Sequence, residues 1–66
     1  MQIVLNGETR TVAPGLSVTG LLADLGIDVR KVAVERNLEI VPKSAFETTV
    51  LADGDRLEIV HFIGGG

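Results

Sequence analysis

Apolar residues along this chain switch between a period of two and a period near 3.6, and the switches mark out its elements. In "MQIVLNGETRTVA", Ile3 and Leu5 alternate with Val4, and Thr9, Thr11 and Val12 follow after "NGE". Residues 2 to 13 therefore read as two strands, joined at Asn6-Gly7, residues that tolerate the positive φ of a tight hairpin. Pro14-Gly15 breaks the pattern. Ser17 is placed to accept a hydrogen bond as an N-cap, and Leu16 before it to pack on Leu21 as a hydrophobic staple. Val18, Leu21, Leu22 and Leu25 then fall at i, i+3, i+4 and i+7. That spacing predicts a helix over 18–25 with one apolar face, and Gly26 stands where a left-handed residue ends it. Gly20 weakens this helix by about 1 kcal/mol relative to alanine. A close approach of its backbone to the sheet is the expected reason for it.

The period returns to two in "KVAVERN", where Val32 and Val34 alternate with Ala33 and Glu35. A short strand "EIVP" follows a turn over 37–39, and Pro42 closes it at a sheet edge. "KSAFETTVLADGD" reads as connection, with one helical turn around Ser44 to Phe46 and a firm turn at Asp53-Gly54-Asp55. "RLEIVHFI" is the last strand. A helix this short must pack its leucine face on a sheet, so Leu21, Leu22 and Leu25 are assigned to the core. The order ββαβββ is that of the α+β β-grasp, or ubiquitin-like, fold: a mixed sheet half-wrapped around one helix, with the first and last strands adjacent and parallel. Residues 1–63 are the expected domain and 64–66 a flexible glycine tail.

At 66 residues there is room for one domain, whose core supplies only about 3–5 kcal/mol of net stability. There is no cysteine to staple it, and a hydrophobic content of 45% fits a compact globule. The start has neither the basic region nor the apolar run of a signal peptide, and no stretch approaches the roughly 20 residues that span a bilayer. The expected compartment is the cytoplasm, with no membrane partner. A net charge of −3 with six scattered cations forms no basic stripe, which argues against nucleic acid. His61 has no cysteine or serine placed beside it as a nucleophile, and it is assigned no chemistry. Asp53 and Asp55 lack the ligand set and glutamate spacing of a calcium loop.

The candidate chemistry lies in "HFIGGG". Gly64, Gly65 and Gly66 reach roughly 11 Å beyond Ile63 when extended, enough to thread a narrow channel. With no Cβ, they leave the final carbonyl carbon open to attack. A carboxylate is a poor electrophile and must first be activated, as ATP does by forming an acyl-adenylate. A glycine run is also what a disordered end or an expression scar leaves, but the fold that precedes this one favours a functional tail.

The ββαβββ order, the "NG" hairpin, the body "VAVERNLEIVPKSAFETTVLADGDRLEIV" and the final strand running into glycines together resemble the sulfur-carrier family of thiamine biosynthesis. The similarity covers essentially the whole chain. "DGDRLEIVHFIGGG" is its most specific part, and Asn37 to Pro42, "N-x-x-I-V-P", supports the thiamine branch. The resemblance implies a carrier and co-substrate, with no catalytic residue and no bound cofactor or metal. Its Gly66 would be adenylated by an ubiquitin-activating-type adenylyltransferase using ATP and magnesium. A persulfide sulfur-transfer protein would convert the adenylate to a thiocarboxylate, and thiazole synthase would receive the sulfur. Many family members have a small residue before Gly-Gly where this chain has Gly64, which lengthens the tail and costs ordering entropy on docking.

Parity along the last strand completes the reading. Leu57, Ile59 and Ile63 share one side, and Glu58, Val60 and Phe62 the other. If the first set faces the helix, Val60 and Phe62 form an exposed docking patch beside the tail. The chain on its own is expected to be a monomer. Two alternatives stay open: a carrier for molybdopterin synthesis, which shares the chemistry, and a ubiquitin-like modifier or interaction domain, whose tail would end on a lysine.

Overall fold

A computed structural model of the chain describes residues 1–62. The Asn6-Gly7 hairpin joins β1 (Gln2–Leu5) to β2 (Glu8–Thr11), with Leu5 opposite Glu8. Asn6 and Gly7 take φ of 47° and 83°, the left-handed pair that such a turn requires. β2 stops at Thr11, two residues before the expected end, although the Val12 N–H still donates to the Met1 carbonyl.

Helix α1 (Val18–Asp24) begins where Ser17 Oγ accepts from the Gly20 N–H at 3.0 Å. It ends in a Schellman motif: the Gly26 N–H reaches the Ala23 carbonyl, the Ile27 N–H reaches that of Leu22, and Gly26 has φ +69°. Leu25 is the cap residue and is half-buried, whereas Val18, Leu21 and Leu22 are fully buried. The expected reason for Gly20 is corrected. A Cβ there would meet Leu16 Cδ1 at 2.7 Å, so what fills the space over this glycine is the leucine before the N-cap, not the sheet.

After a 3₁₀ turn at Val29–Lys31 come β3 (Val32–Arg36) and β4 (Glu39–Val41), then a second 3₁₀ turn at Lys43–Ala45 and β5 (Arg56–His61). The sheet order is β2-β1-β5-β3-β4, with β5 parallel to β1 and antiparallel to β3. This is the β-grasp arrangement, and it places the last strand at the centre of the sheet. Ile3, Leu5, Val32, Val34, Leu57 and Ile59 turn one face of the sheet to α1. The arm between β4 and β5 is more than a connection. Phe46 and Leu51 are buried in the core, and the arm bonds along the start of α1 through Val18 N to Thr49 O and Leu51 N to Leu16 O.

One turn is costly. The β3–β4 hairpin pairs Arg36 with Glu39 across Asn37-Leu38, so Leu38 holds φ +70° while 91% exposed. Left-handed backbone costs a side-chain-bearing residue about 1–2 kcal/mol, and Leu38 recovers none of it by burial. Leu38→Gly is therefore expected to raise the melting temperature by about 4–8 °C, for about 1 kcal/mol in a domain of this size. Thermal unfolding followed by circular dichroism checks it.

Candidate functional site

The central strand determines what the end of the domain presents. β5 carries Leu57 and Ile59 inward, 1% and 7% exposed, and Val60 outward, 56% exposed. It ends at His61, opposite Val32, rather than continuing through 63 as expected. Phe62 lies just beyond the strand, fixed by its N–H donating to the Lys31 carbonyl at 2.8 Å, with 56% of its surface exposed. Ile63, Gly64, Gly65 and Gly66 lie outside the described residues, and with them the parity of Ile63 and the predicted tail.

The root of that tail is firmly held. Asn6, read in the sequence only as a turn former, also stitches the first strand to the last. Its Oδ1 accepts from the Ile59 N–H at 2.9 Å, its Nδ2 donates to the Ile59 carbonyl at 3.3 Å, and its own N–H donates to the Leu57 carbonyl at 2.9 Å. The side chain thus continues the parallel ladder beyond the end of β1, which pairs with β5 only at Val4 and Leu5.

Cations gather where the chain leaves the sheet. Lys43 Nζ stands 5.1 Å from the centroid of the Phe62 ring and donates to the Arg30 carbonyl at 3.2 Å. A cation over a ring face is attracted by its quadrupole, by about 0.5–1 kcal/mol at an exposed site. Asp28 caps the adjoining 3₁₀ turn and takes both Arg30 Nε and Nη2, at 3.1 and 2.9 Å. The side-chain hydrogen bonds from Arg30, followed by the one from its backbone N–H, hold the Asp28 carboxyl well below the usual carboxylate range. Sequence reasoning missed both Lys43 and this pair. The available signal was "DVR", an Asp placed to accept from the residue two positions on.

At the opposite end of β5 lies the one buried ionisable group among the described residues, Asp55. Its Oδ2 accepts from Arg36 Nε at 2.7 Å and from the Ala52 N–H at 2.8 Å, and its Oδ1 from Asn37 Nδ2 at 3.0 Å. Burial pushes its carboxyl up, but the bonds from Ala52, Arg36 and Asn37 outweigh burial and hold it below the usual value. No group of three or more histidine, cysteine or carboxylate side chains among the described residues is arranged to hold a metal ion. Nor is any described helix long and apolar enough to cross a membrane.

A five-stranded mixed sheet around one helix, with a central last strand leading to glycines, defines a ubiquitin-like β-grasp domain. The ThiS family model matches residues 3–66. The chain belongs to the ThiS family. It is 59% identical over its whole length to a region of the thiazole synthase of Paramagnetospirillum magneticum, and spans 20% of that protein. It is 44% identical over 50 residues to the sulfur carrier protein ThiS of Bacillus subtilis, covering 76% of each chain. Among solved structures it superposes on the thiamine biosynthesis protein ThiS of Geobacter metallireducens with a TM-score of 0.87 and 40% identity, over all of both chains. The chain thus spans about a fifth of the length of a thiazole synthase that it matches.

Proposed function

We propose that this chain carries sulfur, as a thiocarboxylate on Gly66, for construction of the thiazole ring of thiamine. The observation that carries the reading is the ThiS family match running through Gly64, Gly65 and Gly66. Support comes from the fold, in which the strand leading to these residues is the sheet's centre and is tied down on both sides. The reading requires a free Gly66 carboxylate, either encoded or released from a longer polypeptide.

The chemistry is acyl activation followed by sulfur transfer. An ubiquitin-activating-type partner joins the Gly66 carboxylate to AMP from magnesium-bound ATP and releases pyrophosphate. The terminal sulfur of a protein persulfide attacks the acyl carbon and expels AMP. A second thiol then attacks the donor cysteine's own sulfur in the acyl disulfide and breaks the S–S bond, which leaves the outer sulfur on Gly66 as a thiocarboxylate and a disulfide on the donor side. Thiazole synthase takes the sulfur from that thiocarboxylate. The chain supplies a fixed body, an unhindered acyl carbon and a surface to dock.

Intact mass of the protein isolated from its own cells under mild, non-reducing conditions tests this. The expected result is a fraction heavier by the difference between sulfur and oxygen that reacts with a thiocarboxylate-selective azide. Unmodified protein accompanied by lysine conjugates of higher mass would overturn it in favour of a modifier.

Val60 and Phe62 are the proposed docking residues beside the tail. Because Phe62 is more than half exposed and lies past the strand, Phe62→Ala is expected to leave stability within about 1 kcal/mol of wild type, the size of its contact with Lys43. Loss of an exposed aromatic anchor weakens an interface by more than about 1 kcal/mol where it is a hot spot, so adenylation kinetics should show a rise in KM of about fivefold to tenfold. Unchanged kinetics would remove Phe62 from the docking surface.

A further inference from the structure

The outer face of the sheet carries a second feature further from the tail. Glu35 of β3 and Glu58 of β5 stand directly opposite one another in the antiparallel register. Side chains so placed have Cβ atoms about 4.5–5.5 Å apart, and like charges there repel and destabilise the sheet. Neither carboxylate forms a salt bridge among the described residues, although Arg56 lines the same shallow hollow. That hollow, of about 260 Å³, is also bordered by Val4 and Leu38.

Exposed apolar side chains frame the two carboxylates. Ile40 is opposite Glu35 and 66% exposed, Val60 follows Glu58 on the same face, and Leu38 projects from the hairpin tip in its left-handed conformation. None of these features helps the isolated domain fold: opposed like charges, solvated leucine and isoleucine, and left-handed backbone each cost it stability. Strain concentrated at one exposed place is the mark of a surface shaped for a partner.

The chemistry of that partner follows from the charges. A guanidinium presents five N–H donors in a planar fork and can bridge two carboxylates, and an apolar surround that excludes water strengthens such bonds. We propose that Glu35 and Glu58 form the seat for an arginine side chain of thiazole synthase, with Leu38, Ile40 and Val60 packing around it. The choice of thiazole synthase rests on the sulfur-carrier reading, and is favoured by the relative in which a region matching this whole chain is part of a thiazole synthase polypeptide. At about 3.3 Å per residue, Glu58 lies about 13 Å from Phe62 along the strand. Contacts at both points stop the domain from swivelling about its tail, so the seat sets the direction in which Gly66 enters the partner.

The test titrates thiazole synthase from the same organism with wild-type chain, Glu35→Gln, Glu58→Gln and the double variant by calorimetry, at two salt concentrations. Removing the repulsion is expected to raise the melting temperature of the free double variant by about 1–3 °C. Its affinity is expected to fall tenfold or more, with a weaker dependence on salt. Asp24→Asn, on the exposed end of α1 across the domain, is the control and should bind as wild type. Unchanged affinity in the double variant overturns the seat. So does impaired sulfur loading with unchanged synthase binding, since it assigns the carboxylates to the activating enzyme. Thiocarboxylate formation on the wild-type chain is measured in parallel: sulfur loading without an affinity loss in the variants rejects the seat alone, whereas a wild-type chain that neither loads sulfur nor binds the synthase rejects the carrier reading and the seat together.

Discussion

Extending the chain by one residue beyond Gly66 is expected to abolish sulfur loading and to leave the fold as it was. This is the largest effect expected of any change to the molecule, and it follows from where the chemistry and the stability reside. Among the described residues, every member of the buried cluster lies between Ile3 and Ile59, and the last strand ends at His61. An added residue is therefore expected to leave this packing unchanged, and the melting temperature should match wild type. At the acyl carbon the change is total. The Gly66 carboxylate becomes a peptide carbonyl, which cannot attack ATP, and the new terminal carboxylate stands up to about 3.6 Å beyond the place that Gly66 occupies, so no adenylate forms on Gly66 and no persulfide can displace AMP there. Pyrophosphate release with the purified activating enzyme and intact mass after addition of the sulfur donor report the two steps separately. Sulfur appearing on the extended chain, without cleavage back to Gly66, would show that the acceptor carbon is not the one proposed. Deletion of Gly66 displaces the carboxylate the other way: it is now on Gly65 and ends up to about 3.6 Å short. Adenylation should then fall steeply with the fold again intact.

Much of the architecture was legible because local signals agreed with one another. Asn6-Gly7, Ser17, Gly26 and Gly54 each do in the structure what their chemistry suits them for, and the 3.6-period leucines between Ser17 and Gly26 left little choice of helix. Inward and outward parity in β5 was equally plain, since Leu57 and Ile59 are buried while Glu58 and Val60 are not. What could not be read is what depends on partners distant in sequence. Asn6 bonds to Ile59 across 53 positions, and Asp55 to Arg36 across 19. Both have local roles, in turns, that explained them without the long-range one. Gly20 was misread for a related reason: helix packing predicts a neighbouring element over a glycine, whereas here the space is taken by Leu16, four residues earlier. The candidate site divides in the same way. The exposure of Val60 and Phe62 was read from strand parity alone, but the cation over Phe62 comes from Lys43, and the opposition of Glu35 to Glu58 needs the register of β3 on β5. Leu38 did carry a signal, a large apolar residue directly after Asn at a hairpin position, where glycine is the usual choice.

Asp55 is the residue whose loss should damage the fold most. Its side chain is 7% exposed and that of its partner Arg36 is 32% exposed, so the pair is shielded from solvent on one side only. Asp55→Ala leaves the Ala52 N–H, the Asn37 amide and the Arg36 guanidinium without their acceptor. Hydrogen bonds to a charged group contribute about 1.5–3 kcal/mol, and partial exposure of Arg36 holds the total to about 2–4 kcal/mol. A domain with only about 3–5 kcal/mol of net stability then loses most of it, and a fall in melting temperature of at least 10 °C is expected. Asp55→Asn keeps the shape but places an NH₂ among three donors, so it should be nearly as damaging at neutral pH. The pH dependence identifies the cause. The native carboxyl titrates below the unfolded value of about 3.9, so in that range the unfolded chain binds the proton more readily. The contribution of Asp55 is therefore fully present above the unfolded value and is lost as pH falls through the lower native one. Wild type should exceed Asp55→Asn by a constant margin at neutral and mildly acidic pH, and the two curves should converge below about pH 3.9. Asp28, also depressed, titrates in the same direction in both proteins, so the difference between the curves reports Asp55 alone. Urea unfolding across that pH range measures the margin. A margin that persists undiminished into strong acid would mean that Asp55 acts through shape and packing, and that its charge contributes nothing to holding the β3–β4 hairpin against the start of β5.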